Sequence, residues 1–533
     1  MPPDDIRAHD NAVNPADAVN DDGGEPRQWL KIVDQSRCIG CHACTTACKS
    51  ENEVPLSVTR TYVKSVDVGT FPQARRAFQV TRCNQCADAP CVAACPTSAM
   101  FTRPDGIVDF DKDACIGCKA CMAACPYDAI FINPEDHSAE KCNLCSHRVD
   151  AGLEPACVVV CPTQAILVGQ FDDAESDAAR IAAREPVAVR RPEKGTRPKL
   201  FYRGATQATL DPLAALSPGG DTFAWSEIQR GPGQVVSGHP GSGNSSAAAL
   251  LSYDIGHRVP WDWRVSLYTW TKGVAAGAYL VATLLAVGGV VSWTGALTVW
   301  AAPLLAAVFL AATAGLLIWD LEHPARFGYI LTRPQWRSWL VRGGVILAGY
   351  AGVLGLQVLF GLLSGPLSWS LDGPGTRQAL AVPGVPLAAA TAVYTAYLFA
   401  QAKGRDLWQS PLLPVHLLVQ AGLAGAAALL PFAVWADADA VTPLGWVLAA
   451  AAAAHVLLVF GEVTLPHPTE HAHLAVRAMT HGRYARLFWA GLALTTAGLA
   501  APFAGAWVAP LALAGLVAYE HAYVQAGQSV PLA

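Results

Sequence analysis

Residues 38–48, CIGCHACTTAC, return at 115–125 as CIGCKACMAAC, and these two runs decide how the first third of the chain is read. Cys38, Cys41, Cys44 and Cys48 are spaced C-x2-C-x2-C-x3-C. Cys115, Cys118, Cys121 and Cys125 repeat that spacing before Pro126. Between them lie Cys83, Cys86, Cys91 and Cys95, spaced C-x2-C-x4-C-x3-C before Pro96. After them come Cys142, Cys145, Cys157 and Cys161, spaced C-x2-C-x11-C-x3-C before Pro162. All 16 cysteines of the 533-residue chain fall in these four quartets. Three close thiolates can wrap one corner of an iron–sulfur cubane, while the fourth, a helical turn further on, points away and ligates a different cluster. The spacing predicts four [4Fe–4S] clusters in two pairs, each cluster taking three cysteines from one quartet and the last from its partner quartet. It does not say which quartets pair. Zinc is disfavoured, because a tetrahedral site needs two C-x2-C knuckles rather than a third cysteine and a fourth before proline. A disulfide framework is disfavoured too, since no secretory signal is read near the start.

Around the cysteines a unit repeats. Strand-like segments at 29–36 (WLKIVDQS) and Gly106–Phe110 precede the first and third quartets. Others, Ala129–Ile132 and Ala165–Val168, follow the third and fourth. This is the pattern of an internal duplication and predicts an α+β, double-ferredoxin-like iron–sulfur domain over residues 29–205. Residues 1–28 are polar and read as a disordered tail. Asp172–Glu185 reads as a helix, and the basic segment Arg190–Arg203 as a solvated strap. Residues 206–255, rich in Gly, Ser and Pro between 217 and 247, read as a linker.

From residue 256 the composition changes. Apolar segments follow at 265–291, 297–319, 343–363, 379–401, 411–435, 443–464, 486–503 and 506–525, and about 20 apolar residues are needed to cross a bilayer as a helix. The expectation is an all-α, eight-helix transmembrane bundle over 256–533. This half explains the 52% hydrophobic fraction and the mean hydropathy of +0.29. Of the 16 tryptophans only Trp29 and Trp225 lie outside it. Trp261, Trp263, Trp293, Trp319, Trp339 and Trp435 sit near the expected helix ends, as an interfacial belt would. Gly273, Ala276, Gly277, Gly422 and Gly425 would let helices approach closely. A net charge of −5 offers no basic footprint for nucleic acid, and no glycine-rich dinucleotide fingerprint points to NAD.

Residues 30–170, on their four quartets, resemble the four-cluster iron–sulfur subunits of the dimethyl sulfoxide reductase superfamily, the polysulfide, thiosulfate and tetrathionate reductases and sulfite dehydrogenases among them. Residues 256–533 resemble the NrfD/polysulfide-reductase membrane subunit in the segments WTKGVAAGAYL (270–280), WDLEHPARFGYILTRP (319–334), SPLLP (410–414) and YEHAYVQAGQSVPL (519–532). Here the two subunits, normally separate, are fused. The resemblance implies pairing of the first quartet with the fourth and of the second with the third. The four ligand sets are then Cys38, Cys41, Cys44 and Cys161; Cys142, Cys145, Cys157 and Cys48; Cys83, Cys86, Cys91 and Cys125; and Cys115, Cys118, Cys121 and Cys95. It implies a molybdenum or tungsten bis-pterin catalytic partner carrying the substrate site, and a membrane quinone (menaquinone or ubiquinone) reacting in the bilayer half. It also implies that the 319–334 segment borders the quinone pocket, with Asp320 and Arg326 at the family's polar positions and Glu322 and His323 beside them.

Ionisable residues inside apolar spans are functional candidates. His455 and Glu462, seven apart on one helical face, read as a proton relay or a buried pair. His416, Glu520 and His521 are weaker candidates, and Lys272 reads as snorkelling. Two other readings remain: a haem b held by two of His323, His416, His455 and His521, and a quinone-driven proton pump. Under eight spans the loops on the side of the cysteine domain carry Arg326, Arg333, Arg337, Arg342, Lys403, Arg405, Arg477, Arg483 and Arg486, and the opposite loops Arg377 alone. Basic short loops stay cytoplasmic, so a multi-pass protein of the cell membrane is expected, with its iron–sulfur domain and C-terminus in the cytoplasm.

Overall fold

The computed structural model describes residues 28–215, 249–364 and 373–533. The expected tail, apart from Gln28, and the 217–247 stretch lie outside the described residues. The chain forms two compact units, one of residues up to Arg258 together with Pro531–Ala533, the other Val259–Val530.

In the first unit the strands are β1 (Trp29–Asp34), β2 (Thr61–Val68), β3 (Arg75–Arg82), β4 (Met100–Thr102), β5 (Val108–Phe110), β6 (Ile130–Ile132), β7 (Ala139–Lys141), β8 (Ile166–Gln170), β9 (Val187–Ala188), β10 (Leu200–Arg203) and β11 (Leu250–Tyr253). They form a sheet ordered β8-β1-β10-β9, a sheet ordered β11-β2-β3, and the hairpins β4-β5 and β6-β7. A short helix precedes the last cysteine of each quartet or carries it: α1 (Ala43–Glu51), α2 (Pro90–Ala94), α3 (Ala120–Ala124) and α4 (Ala156–Val159); the fourth quartet holds a second helical stretch at Ser146–Asp150. A further helix, α5 (Asp177–Arg184), is capped by the Ser176 hydroxyl.

The sequence repeat is a backbone repeat as well. The residue before the second cysteine of every quartet has positive φ: Gly40 (69°), Gln85 (47°), Gly117 (68°) and Leu144 (64°). This left-handed residue turns the chain sharply between the first two cysteines, and glycine adopts it without strain. Gln85 is held there by its own side chain, which donates to Cys142 O (2.8 Å) and accepts from Val108 N (2.7 Å). A second left-handed residue follows two positions after each quartet-ending proline, at Ser98, Asp128 and Gln164. The first quartet has no such proline, and α1 runs on through Cys48 to Glu51.

Two cores result. One gathers Cys86, Cys91, Cys95, Cys115, Cys121 and Cys125 with Met100, Val108, Tyr127 and Ile130. The other gathers Cys44 and Cys157 with Val33, Val63, Val80, Ile166, Leu200 and Tyr202. The basic strap is corrected by the structure. Leu200–Arg203 is an inner strand, parallel to β1, and Arg190 and Lys199 are each 1% exposed. The alternating Leu, Phe and Tyr of that segment supply core faces that its flanking charges hide in the sequence. At the ends of the expected linker, Gln207–Leu210 forms a helical turn and β11 pairs antiparallel with β2.

Just past β11, His257 Nδ1 lies 2.5 Å from Asp128 Oδ2, and Nε2 lies 3.3 Å from Asp254. Burial alone would lower the imidazole, but the two carboxylates raise it to about 9. A folded value above the unfolded one gives stability that is complete below about 6.5 and lost as the pH rises through about 9. Hydrogen-exchange protection of the β11 amides should therefore fall across that window in the native chain. In His257→Gln protection should be weaker at low pH and show no such step; an identical profile in both chains would show that the imidazole charge does not anchor β11.

The second unit is helical: α6 (Trp263–Val287), α7 (Ala302–Trp319, continued from a π turn at Leu297–Ala301), α8 (Trp339–Ser364), α9 (Pro374–Ala400), α10 (Leu413–Ala436), α11 (Val441–Thr464), α12 (Glu470–Thr480), α13 (Ala485–Thr496) and α14 (Ala509–Gly527). Among the described residues, seven segments are long and apolar enough to cross a membrane. The last, Ala485–Gly527, is interrupted by short turns between Ala497 and Val508, with Gly505 at φ 64°. At one end of the unit Trp261 N donates to Gln528 Oε1 (3.1 Å), Trp339 N to Gln401 Oε1 (2.8 Å), Arg405 to Gln528 O (2.9 Å) and Thr469 to Asp406 (2.8 Å). At the other end Arg377 reaches Thr298 O (3.4 Å), and Gly445 packs on Ala501. α12, an amphipathic helix capped by Thr469, falls between the expected apolar spans.

α6 and α10 are the most enclosed spans and cross at two glycines. A Cβ on Gly277 would lie 1.7 Å from Ala421 O, and one on Gly425 2.0 Å from Gly277 C. Gly273 and Gly422 have no such neighbour. Gly491 and Gly515 bring α13 against α14 in the same way. Gly277→Ala forces two backbones apart and is expected to cost about 1–3 kcal/mol, whereas Gly273→Ala should be tolerated. Thermal unfolding of the detergent-solubilised variants checks this, and equal midpoints would contradict it.

The tryptophan belt needs one correction. Trp263, Trp319 and Trp435 are exposed, but Trp261 is buried, stacked on Trp408 (5.5 Å) and Phe399 (5.8 Å). Its ring closes the end of the bundle instead of facing the interface.

Candidate functional site

The fold brings the quartets together across the sequence. Cys161 is an electrostatic neighbour of Cys38 and Cys44, and Cys41 of Cys38. Cys48 neighbours Cys142, Cys145 and Cys157. Cys125 neighbours Cys83, Cys86 and Cys91. Cys95 neighbours Cys121 and lines one cavity with Cys115, Cys118 and Cys121. Adjacent sets also meet, through Cys44 with Cys157 and Cys91 with Cys121.

Most of these sulfurs are buried, and burial disfavours their charged form. It pushes Cys44 up to about 11 and Cys48 to about 12, and raises Cys86 and Cys121 as well. Cys142 is the exception: burial would raise it, but Lys31, Arg82, the Leu144 N–H and Lys141 pull it down to about 6. Donors are aimed at sulfur throughout. Gly117 N and Ala139 N donate to Cys115 Sγ (both 3.4 Å), Met100 N to Cys95 Sγ (3.4 Å) and Ala165 N to Cys161 Sγ (3.2 Å). Lys31 Nζ donates to Cys142 Sγ (3.3 Å) and Arg82 Nη1 to Cys157 Sγ (2.9 Å). Arg82 is 1% exposed, and its Nε and Nη2 find no partner among the described residues. A buried guanidinium with spare donors among thiols fits a site built for an anionic iron–sulfur group, whose sulfurs accept hydrogen bonds.

In the membrane unit, Asp320 caps α7, is 6% exposed and lies 3.5 Å from Arg264. Arg264 also holds Trp319 O (2.6 Å). Glu322 lies within electrostatic reach of Arg264, and Glu322, His323 and Arg326 are half-buried, with Arg326 ending a tight turn at Pro324–Arg326. The same segment contributes Leu321, Phe327, Ile330 and Leu331 to an apolar groove between α7 and α8.

A second polar group sits inside the bundle. Lys272 does not snorkel: it is 1% exposed, and its ammonium donates to Ala392 O (2.7 Å) and Thr395 Oγ1 (2.9 Å), with Glu520 within electrostatic reach. Thr269 Oγ1 donates to Glu520 (2.7 Å). His416 Nε2 and His455 Nδ1 are 2.9 Å apart, and Tyr519, packed on both rings, donates to Glu462 (3.1 Å). A direct bond between His416 and His455 leaves no gap for a porphyrin between those two rings. The 416–455 pairing has no sequence signal, since the two histidines lie on different helices 39 residues apart.

Family comparisons agree with this layout. A 4Fe-4S binding domain matches residues 29–50, a 4Fe-4S dicluster domain 75–171, and the polysulphide reductase NrfD family 253–514. A tetrathionate reductase subunit of Salmonella typhimurium is 42% identical over 199 residues, 36% of this chain and 78% of the relative. A polysulfide reductase polypeptide of Wolinella succinogenes is 43% identical over 178 residues, 33% of this chain and 93% of the relative. The thiosulfate reductase electron transfer subunit PhsB of Salmonella typhi is 45% identical over 151 residues, covering 28% and 79%. The chain is a multi-pass membrane electron-transfer protein of the 4Fe-4S class. It belongs to the family of iron–sulfur subunits of tetrathionate, polysulfide and thiosulfate reductases, fused to an NrfD-type membrane domain.

Proposed function

We propose that this chain links a molybdenum or tungsten bis-pterin catalytic partner to membrane quinone through four [4Fe–4S] clusters held by the four cysteine sets. The observation that carries the reading is that each quartet's last cysteine lies beside cysteines of another quartet: Cys161 beside Cys38 and Cys44, Cys48 beside Cys142, Cys145 and Cys157, Cys125 beside Cys83, Cys86 and Cys91, and Cys95 beside Cys121, in one cavity with Cys115 and Cys118. The clusters supply one-electron transfer. The chain's residues hold them in succession, shield them from water and offset their charge.

Quinone is placed, in this reading, with its tail in the groove between α7 and α8 and its head toward the 320–326 segment. The groove is almost wholly apolar and suits an isoprenoid chain, while Arg326 supplies a donor to a quinone carbonyl and Asp320 an acceptor for a quinol O–H. Asp320→Asn and Arg326→Ala should each lower quinone turnover at least tenfold while artificial-dye activity of the assembled complex survives. Unchanged quinone kinetics in both would reduce these residues to helix caps.

We read α13 and α14 as separate crossings, giving eight. The hydrogen bond from Trp261 to Gln528 supports an even number, because it joins the start of the first helix to the end of the last; Arg405, in the turn after the fourth helix, holds the same end. The end carrying Arg326, Lys403, Arg405, Arg477 and Arg483 is then cytoplasmic, with the iron–sulfur domain and C-terminus on that side. A protease-cleavable C-terminal tag should be cut in inside-out vesicles and protected in intact spheroplasts; the reverse pattern would invert the topology.

A further inference from the structure

We propose that Lys31 and Arg82 set the reduction potential of the cluster site formed by Cys48, Cys142, Cys145 and Cys157, raising it and making it a resting point for the electron in the wire. The inference rests on the four-cluster reading and adds the residues that tune one site within it.

Both side chains are buried, 2% and 1% exposed, and both spend hydrogen bonds on sulfurs of this one set: Lys31 Nζ on Cys142 at 3.3 Å and Arg82 Nη1 on Cys157 at 2.9 Å. A third donor, the Asn52 amide, lies 3.7 Å from Cys48 Sγ and 3.6 Å from Cys145 Sγ. All four ligand sulfurs thus receive a side-chain donor, two of them from full positive charges. The hydrogen bonds to Cys95, Cys115 and Cys161 are of a weaker kind, from backbone N–H groups.

Burying a cation is costly unless it is paired. Lys31 lies in the middle of β1, pointing away from solvent, where an apolar residue would complete the sheet at lower cost. Its ammonium is retained beside a group whose negative charge grows by one when an electron arrives. Reduction moves one electron in from a neighbouring cluster site and later out to the next, with no bond or proton changed. A fixed positive charge stabilises the reduced form more than the oxidised form, so the potential rises, as cluster charge and hydrogen bonds to sulfur dictate. Arg82 is also an electrostatic neighbour of Cys44 and Cys38, so it acts on the adjoining site too, whereas Lys31 spends its bond on Cys142.

The test is an anaerobic redox titration followed by EPR on the full-length chain in nanodiscs, with iron and acid-labile sulfide analysis of each variant. Lys31→Met should lower one midpoint by the equivalent of at least tenfold in the one-electron equilibrium, about 59 mV, and leave the others in place. Arg82→Gln should lower the same midpoint and, by less, one neighbour. Lys31→Arg and Arg82→Lys keep the charge and should restore most of the shift. Unmoved midpoints at full iron content would overturn the proposal, as would an equal shift of all signals. Loss of iron in all four variants would also overturn it, assigning the two cations to assembly alone. A native chain without roughly sixteen irons would instead remove the four-cluster reading beneath it, so the two failures are distinguishable.

Discussion

Sixteen thiols gathered in one small unit, most of them buried, are the constraint on which the rest depends. Sulfur anions lose hydration on burial, and that loss is offset only by iron, by N–H donors and by paired cations. The four left-handed turns before the second cysteines, the backbone donors to Cys95, Cys115 and Cys161, and the inward-facing Lys31 and Arg82 all answer that requirement. Sulfurs stand among the core residues themselves, so the cysteines are packing groups as well as ligands.

The membrane unit meets the same requirement in a different solvent. Apolar surface faces outward along α7, α8 and α11, while the polar atoms gather between α6, α9, α10, α11 and α14. Lys272, Glu520, His416, His455 and Glu462 each find a partner on another helix, or a ring beside one. Such groups are expensive in a bilayer and are kept where they take part in function. The close glycine crossing joins α6, which carries Lys272, to α10, which carries His416.

How much of this is legible in the sequence varies with the range of the signal. Cysteine spacing is local and chemically demanding, so the quartets and the neighbouring strands can be read to within a residue or two; β1 is expected at 29–36 and runs from Trp29 to Asp34. The membrane helices are legible from apolar length, with the α13–α14 break visible at Pro502, Gly505 and Pro510. What escapes is non-local. β10 is hidden among Arg, Lys and Pro because its core face exists only once β1 lies beside it. Lys272 reads as a snorkelling residue because its acceptors, Ala392 O and Thr395, are 120 residues and more away. Trp261 reads as interfacial because its stacking partners, Phe399 and Trp408, belong to another helix and its following turn. α12 escapes because eleven residues with histidines and an arginine carry no bilayer signal.

Whether one polypeptide exchanges electrons with quinone and carries them through its own clusters is tested most directly by rapid mixing. The oxidised, full-length chain in nanodiscs, without any catalytic partner, is mixed with a soluble quinol, and its dithionite-reduced form with the matching quinone, while cluster absorbance is followed. Redox exchange with the clusters is expected in at least one of the two directions, at a rate suppressed by Asp320→Asn. Clusters that respond to dithionite and ferricyanide but to neither quinol nor quinone would contradict the proposed function.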